Sequence, residues 1–281
     1  YLPYAEFQRI RALKLPREQR VAIFADMCRL NALYKIACAG SGHIGSSFSS
    51  LDIISWLLME EMNDDDIFFS SKGHDAPGYY AALIGMGKID FDFIHKLRKI
   101  DGLPGHPDIG TPGIVTNTGS LGMGISKAKG MVFASRLGKR SGRVFVMTGD
   151  GEVQEGQFWE SLVSAVNYGL HEITVIIDHN KLQSDTFVKN VSDLGDLEAK
   201  LRAFSWRVER CDGNNISAFA ATLASLKGEP RPKVIIADTV KGKGVSFMEH
   251  TSLASDAAMY HFHSGAPDAS SYQLAAQEIM S

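Results

Sequence analysis

The chain has 281 residues, of which 44% are hydrophobic and 22% charged, proportions close to the globular average that exclude collagen-like, low-complexity and disordered chains. The formal net charge of -3 gives no chain-wide basic surface for nucleic acid, and no apolar run approaches the roughly 20 residues that cross a bilayer, so neither nucleic acid nor membrane is an expected partner. The three cysteines, Cys28, Cys38 and Cys211, form no CxxC pair, which predicts a reducing, cytoplasmic location without disulfides.

The amino-terminal part is predicted to be mainly helical. A helical pattern of apolar residues begins after Pro16 and stops at the Gly-Ser-Gly run of residues 40–42. Residues 51–62 predict a second helix, and residues 66–70 (DIFFS) predict a short strand. Residues 72–79 (KGHDAPGY) then predict a loop that leads into a further helix.

The segment 102–124 is too rich in glycine and proline to form a regular helix or strand. It is therefore either a plain surface loop or a loop shaped around a ligand. Long ordered loops inside compact domains are usually functional, which favours the ligand loop.

Short apolar segments alternate with helical segments in the rest of the chain. The predicted strands are residues 143–148, 173–178, 206–211 and 233–238, and the predicted helices are residues 157–168, 196–204 and 216–226. This alternation is typical of an α/β fold with a mostly parallel sheet and helices on both faces. We expect one domain over residues 1–281, with an amino-terminal helical extension.

The sequence Gly-Asp-Gly at residues 149–151 follows one predicted strand, and Asn180 follows the next. Parallel strands deliver both to the same sheet edge, where ligands bind in open α/β folds. The Asp150 carboxylate and the Asn180 amide oxygen suit Mg²⁺ or Ca²⁺ holding a diphosphate, and Leu182 can add a backbone carbonyl. The glycines permit a close approach of phosphate oxygens to the backbone.

A GDG sequence, then 28 residues, then an asparagine resembles the motif of enzymes that use thiamine diphosphate. Further segments resemble the amino-terminal half of transketolases in family order: 41–45 (SGHIG), 72–74 (KGH), 103–107 (LPGHP), 118–124 (TGSLGMG), 149–156 (GDGEVQEG), 241–244 (KGKG) and 262–267 (FHSGAP). The chain departs from the usual family residues at Ile44, Ser120 and Met123. The choice between the housekeeping pentose-phosphate enzyme and a specialised sugar pathway therefore stays open.

The resemblance implies a set of binding residues. A divalent metal would be held by Asp150, Asn180 and the carbonyl of Leu182. Contacts with thiamine diphosphate are expected from His74, Gly119, Ser120, Leu121, Asp150, Gly151, Glu155, Asn180 and His263.

Histidine is the side chain suited to proton transfer near neutral pH, and four histidines lie in loops flanked by glycine or proline. The resemblance implies that His43 and His263 flank the reacting carbonyl and hydroxyl, and that His106 lies near the terminal hydroxyl of the donor sugar. His261 lies close enough in sequence to remain an alternative to His263. The histidines expected to be structural or surface residues are His95, His171, His179 and His250.

Glu155 and Glu160 lie at the start of a predicted helix, where its dipole favours acids. In transketolases, acids at this place lie at a subunit interface, which is the alternative interpretation.

Nothing in the chain resembles the pyrimidine-binding domain that completes transketolases. We expect that domain on a separate polypeptide, the carboxyl-terminal subunit, in an α2β2 complex, although a piece of a longer enzyme is an open alternative. The expected activity is two-carbon ketol transfer from a ketose, usually phosphorylated, to an aldose. The alternatives are an enzyme similar to 1-deoxyxylulose-5-phosphate synthase, the α subunit of a 2-oxoacid dehydrogenase, and a non-catalytic regulatory subunit.

Overall fold

A computed structural model describes residues 1–281, which form ten α-helices and seven β-strands. The helices are α1 (Tyr4–Ala12), α2 (Arg17–Ala39), α3 (Ile44–Trp56), α4 (Ala76–Gly85), α5 (Gly124–Leu137), α6 (Gly156–Asn167), α7 (Val188–Val191), α8 (Leu197–Ala203), α9 (Ile216–Ser225) and α10 (Ala269–Met280). The strands are β1 (Ile67–Ser70), β2 (Val144–Gly149), β3 (Ile173–His179), β4 (Leu182–Gln183), β5 (Thr186–Phe187), β6 (Arg207–Asp212) and β7 (Lys233–Asp238). None of the helices is long and apolar enough to cross a membrane.

Five strands form one parallel sheet in the order β1-β2-β3-β7-β6, and β4 and β5 form a separate antiparallel hairpin. In the register of β2 with β3, Gly149 lies opposite Asp178, so the loops after both strands leave at the same edge. The predicted α/β fold with a parallel sheet is confirmed.

Helices cover both faces of this sheet because successive strand residues point to opposite sides. Val144 and Val146 pack into a core with α5, α6 and α8, whereas Phe145 and Met147 pack into a larger core with α1–α4, α9 and α10. A strand that is buried on both faces needs apolar residues at successive positions, which is why the strands are continuous apolar runs.

The predicted strands of the sheet match the structure to within one residue at each end. The second predicted helix is wrong at its start, because α3 begins at Ile44 and continues into a π-helical turn at Leu57–Glu61. Serines on the first turns of α3 conceal its apolar pattern, although all of them are buried: Ser46, Ser47, Ser49 and Ser50. Helices α1, α5, α7 and α10 have no counterpart among the predicted helices.

Candidate active site

Asp150 lies at the carboxyl end of β2, at the edge predicted to bind the cofactor. Its carboxylate is 2% exposed and accepts hydrogen bonds from the backbone N–H groups of Gly151 (2.9 Å) and Lys181. No cationic side chain forms an ion pair with it, and burial raises the pKa of Asp150 to about 6. A buried carboxylate without a cationic partner fits a divalent cation bound at this edge.

Asn180 and Leu182 lie beside Asp150, after β3. The Asn180 side-chain oxygen accepts the backbone N–H of Leu182 at 3.1 Å, and its side-chain nitrogen lies 3.4 Å from the Asp178 carboxylate. No group of three or more His, Cys, Asp or Glu side chains is arranged around a common point anywhere in the chain. The ligands predicted for this edge are one carboxylate, one amide oxygen and one backbone carbonyl, and hard oxygen atoms of this kind are typical of Mg²⁺ or Ca²⁺ sites.

Close backbone contacts join the loops that carry the motifs. Gly73 has a φ of 69°, and a Cβ there would lie 2.7 Å from the Thr118 hydroxyl and 2.8 Å from the His106 ring. A Cβ at Gly122 would lie 2.7 Å from the Cβ of Glu155. Glycine is therefore required where the KGH, GHP and TGSLGMG loops meet.

Glu152 connects three of these segments and has no predicted role. Its buried carboxylate accepts hydrogen bonds from the Ser71 hydroxyl (2.5 Å), the Gly122 backbone N–H (2.9 Å) and the Gly149 backbone N–H (3.3 Å). It therefore fixes the TGSLGMG loop against the end of β2. The signal in the sequence is its place inside the GDGEVQEG motif.

Four predicted histidines converge above this edge. The ring centroid of His43 lies 5.3 Å from His74, 6.4 Å from His106 and 5.1 Å from His263, and the His74 and His263 centroids are 5.9 Å apart. The Nδ1 atoms of His43 and His263 are buried and have no hydrogen-bond partner. Buried ring nitrogens without a partner are rare in folded proteins, and a catalytic role is one explanation for them.

Burial lowers the pKa of His43 and of His263 from 6.5 to about 4, and the neighbouring cations add to this effect. Burial also lowers the pKa of His74 well below its usual value. Each of these imidazoles is therefore neutral at pH 7, the state that can accept a proton from a hydroxyl.

Backbone hydrogen bonds hold the FHSGAP segment against the SGHIG loop. The Gly45 N–H donates to the Phe262 carbonyl at 3.1 Å, and the Gly265 N–H donates to the Gly42 carbonyl at 2.9 Å. These bonds bring His263 into the cluster, whereas His261 is exposed. The geometry therefore favours His263 of the two predicted alternatives.

Several of the other predicted site residues lie on the surface of these loops. Ser120, Leu121 and Glu155 are exposed, and Glu155 precedes the first turn of α6. A Cβ at Gly119 would lie 3.2 Å from the His106 ring, so this loop lies against the histidine cluster. Glu160 is exposed on α6.

Lys241 belongs to the KGKG motif and has no predicted role. It is buried, its amine donates to the Ser184 carbonyl at 2.7 Å, and the amine lies 5.2 Å from the centroid of the Tyr260 ring. Burial lowers the pKa of Lys241 to about 8. A Cβ at Gly45 would lie 2.9 Å from its Cγ, so Lys241 adjoins the histidine loop.

The histidines predicted to be structural or surface residues lie outside the cluster. His179 Nδ1 lies 2.9 Å from the Asp238 carboxylate, His95 Nδ1 lies 2.8 Å from the Tyr34 hydroxyl, and His250 Nδ1 accepts the Lys241 backbone N–H at 3.0 Å. His171 is exposed. The hydrogen-bond partners of His179, His95 and His250 explain the positions of these three histidines.

The pH dependence of stability should reveal the neutral histidines. Since the folded-state pKa of His43 and His263 is about 4 and the unfolded value is about 6.5, the unfolded chain binds more protons between these values. Stability from this source is fully present above pH 6.5 and is lost as the pH falls towards 4. We expect a His43→Asn variant to lose less stability than wild type between pH 6.5 and 5, measured by urea unfolding. Parallel changes of unfolding free energy with pH in the two proteins would contradict this expectation. Asp150 titrates in the same pH range, but it is present in both proteins, so its contribution cancels in the comparison.

Comparison with known proteins agrees with this geometry. A family model described as the thiamine diphosphate binding domain of transketolase matches residues 21–261. The fold and site thus define a thiamine-diphosphate-binding domain. The chain belongs to the transketolase family, as its amino-terminal, diphosphate-binding part.

Two relatives are themselves transketolase subunits of about the same length. One, from Actinobacillus succinogenes, is a subunit of an apulose-4-phosphate transketolase; it is 36% identical over 249 residues, covering 85% of this chain and 87% of that protein. The other, from a Clostridium species, is a subunit of a 6-deoxy-6-sulfo-D-fructose transketolase; it is 35% identical, covering 80% and 86%. The predicted resemblance to the amino-terminal subunit of a split transketolase is confirmed.

The fold is shared with complete transketolases. The crystal structure of the Campylobacter jejuni transketolase superimposes with a TM-score of 0.82 at 23% identity, covering 93% of this chain. This chain spans only 43% of that one, so it corresponds to less than half of the longer protein.

Proposed function

We propose that this chain is the diphosphate-binding subunit of a transketolase, transferring a two-carbon ketol unit from a ketose, usually phosphorylated, to an aldose. The observation that carries the proposal is the convergence of four histidines, with centroids of neighbouring rings 5.1–6.4 Å apart, above the edge that holds Asp150 and Asn180. Relatives named as transketolase subunits support it.

Asp150, the Asn180 side-chain oxygen and the Leu182 carbonyl would hold Mg²⁺, or Ca²⁺, with the diphosphate. When bound, thiamine diphosphate supplies the electron sink for breaking and making the carbon–carbon bond. Gly151 would contact the diphosphate, and Gly119, Ser120 and Leu121 would approach the aminopyrimidine through backbone atoms. Lys241 supplies a positive charge in the buried wall of the site, and His74, whose Nδ1 faces the Lys72 carbonyl, would lie against the diphosphate.

His43 and His263 would move protons on the sugars. A ketose hydroxyl must lose a proton as its carbon–carbon bond breaks, and the acceptor oxygen must gain one. Each imidazole is neutral and only partly buried, so each can accept the first proton and return it later. His106, which is exposed at the mouth, would bind the terminal hydroxyl of the donor.

The pyrimidine-binding half would come from a separate carboxyl-terminal subunit, in an α2β2 heterotetramer. The names of the relatives support a partner subunit, because both describe one subunit of a transketolase. All three cysteines are free thiols, which supports the reducing cytoplasm as the location.

Helices α5 and α6 offer a surface for that partner. Their outer face exposes four large apolar side chains: Phe133 (38% exposed), Leu137 (87%), Val163 (47%) and Tyr168 (62%). Phe133 and Tyr168 stack edge to face at 5.4 Å, so the patch crosses from one helix to the other. Exposed apolar side chains grouped in this way mark protein interaction sites. Glu155 and Glu160 lie at the start of α6, which places them near the proposed interface.

A charge placed in this face should weaken the complex. We expect Val163→Glu to weaken association with the partner subunit at least about tenfold, or about 1.4 kcal/mol, because the carboxylate must lose its hydration at the interface. Sedimentation velocity of the mixed subunits measures this. The control is Leu274→Glu, a similarly exposed leucine on α10. Equal affinities for the two variants would contradict the proposed surface.

The direct test of the function combines binding and turnover. The chain and its partner subunit should show a Mg²⁺-dependent thermal shift with thiamine diphosphate, and should transfer a ketol unit from a ketose phosphate. Absence of the shift would refute the cofactor site. A shift without transfer from a panel of ketoses would refute the activity and leave a binding subunit.

A further inference from the structure

Asp178 is the acidic residue near the end of β3. Its side chain is fully buried, and its carboxylate accepts four hydrogen bonds. It accepts from the Lys72 amine (2.6 Å), the Ser49 hydroxyl (2.8 Å), the Thr239 hydroxyl and the Asn180 side-chain nitrogen (3.4 Å). The donors come from α3, the loop after β1, the end of β7 and the end of β3. One carboxylate thus joins four elements beneath the proposed cofactor site.

This carboxylate decides which atom of the Asn180 amide faces the site. An ionised carboxylate only accepts hydrogen bonds, so the amide must turn its nitrogen towards Asp178. The amide oxygen then points the other way, where it accepts the Leu182 backbone N–H at 3.1 Å. The flipped amide would place oxygen against carboxylate and NH₂ against N–H, and both of these contacts are repulsive.

The position of Asp178 is itself fixed by the buried amine of Lys72. That amine also lies 3.3 Å from the Asp75 carboxylate, which accepts the Ser70 hydroxyl at 2.7 and 2.8 Å. The backbone carbonyl of Lys72 lies 3.1 Å from the His74 ring nitrogen Nδ1. The same segment therefore holds both the carboxylate beneath Asn180 and one histidine of the cluster.

We propose that Asp178 is a positioning residue that fixes the Asn180 amide so that its oxygen, and not its nitrogen, is presented to the divalent cation. The inference rests on the proposed function, because it assigns Asp178 a role towards the metal of that site. Only the acceptor oxygen of Asp178 is needed for this role. Partners of metal ligands act in this way in known sites, where their loss weakens metal binding about 10- to 100-fold.

A double-mutant cycle on Mg²⁺ affinity tests the orienting role. Calorimetry at saturating thiamine diphosphate, on the full chain with its partner subunit, should show about 10- to 100-fold weaker Mg²⁺ binding for Asp178→Ala. In the Asn180→Asp background, both side-chain atoms are oxygens and no orientation is required. There, the further change Asp178→Ala should not weaken Mg²⁺ binding.

Two more variants separate orientation from general damage. Asp178→Asn keeps an acceptor oxygen for Lys72, Ser49 and Asn180, and can turn its NH₂ towards the Thr239 hydroxyl, so Mg²⁺ affinity should stay close to wild type. Thr239→Val removes a donor to the other carboxylate oxygen and should leave Mg²⁺ affinity unchanged. Urea unfolding of each variant without metal reports its stability separately.

The outcomes are distinct. Three results would overturn the orienting role alone. One is an equal loss of Mg²⁺ affinity caused by Asp178→Ala in both backgrounds. Another is a loss of Mg²⁺ affinity in the folded Asp178→Asn variant as large as that expected for Asp178→Ala. The third is an unchanged Mg²⁺ affinity in folded Asp178→Ala, and if Asp178→Ala does not fold, a loss of affinity in Asp178→Asn would overturn the role. Wild-type protein that binds no Mg²⁺ with the cofactor would overturn the proposed function together with this inference.

Discussion

Asp150→Ala is expected to abolish Mg²⁺-dependent binding of thiamine diphosphate, weakening it by at least about 100-fold, the upper end of the loss seen when only a partner of a metal ligand is removed. Asp150 is the only carboxylate among the three proposed ligands, and it is buried without a cationic side-chain partner. Its loss therefore removes the charge that balances the cation. Thermal shift and calorimetry with both Mg²⁺ and cofactor measure the effect.

The variant should stay folded without ligands, because the change removes a buried carboxylate that has no ion pair. The matched control is Asp212→Ala, at the end of β6 on the same sheet edge, where Asp212 accepts the backbone N–H of Asn214 at 2.9 Å. The control should bind metal and cofactor like wild type. If Asp150→Ala retained Mg²⁺-dependent binding, the proposed metal position would be wrong.

His43→Asn should reduce ketol transfer by about 10²- to 10⁴-fold, the usual range for loss of a general acid–base group. His43 lies at the centre of the cluster, within 6.4 Å of the other three rings, and its neutral, partly exposed imidazole is the group proposed to contact the sugar. The loss should fall on kcat, because His43 is not among the residues proposed to contact thiamine diphosphate. Steady-state kinetics of the complex and calorimetry of cofactor binding measure the two effects separately.

A suitable control is His95→Asn, because His95 lies outside the cluster with Tyr34 as its partner. It should turn over like wild type. Loss of cofactor affinity in His43→Asn that accounts for all of the lost activity would refute a proton-transfer role and indicate a binding role.

The parallel sheet and the ends of β2 and β3 could be predicted because they depend on local patterns. A strand such as β7 (KVIIAD) is an apolar run with polar residues at its ends, and its carboxyl end follows directly from the chain direction. The four histidines could be placed together only through the resemblance, since nothing local in the chain joins residue 43 to residue 263. The fold and the position of the site were therefore predictable from two different kinds of information.

The polar residues beneath the site could not be predicted in this way. Asp178 closes an apolar strand (ITVIID) and looks like an ordinary strand-end residue, yet its role arises from donors on four separate elements. Glu152 and Lys241 lie inside the GDGEVQEG and KGKG motifs, but their contacts depend on loops that meet only in the folded chain. The buried serines of α3 escape prediction for the same reason, because a partner such as that of Ser49 is distant in sequence.

The join between the SGHIG and FHSGAP segments is made by main-chain atoms at Gly42, Gly45, Phe262 and Gly265. Backbone N–H and C=O groups make these bonds, so no side-chain hydrogen bond is needed to set the spacing of His43 and His263. The side chains of Ser264 and Ala266 are exposed beside these hydrogen bonds and are free to vary. Such a framework would allow the sugar specificity to change while the spacing of the two histidines proposed to be catalytic is preserved.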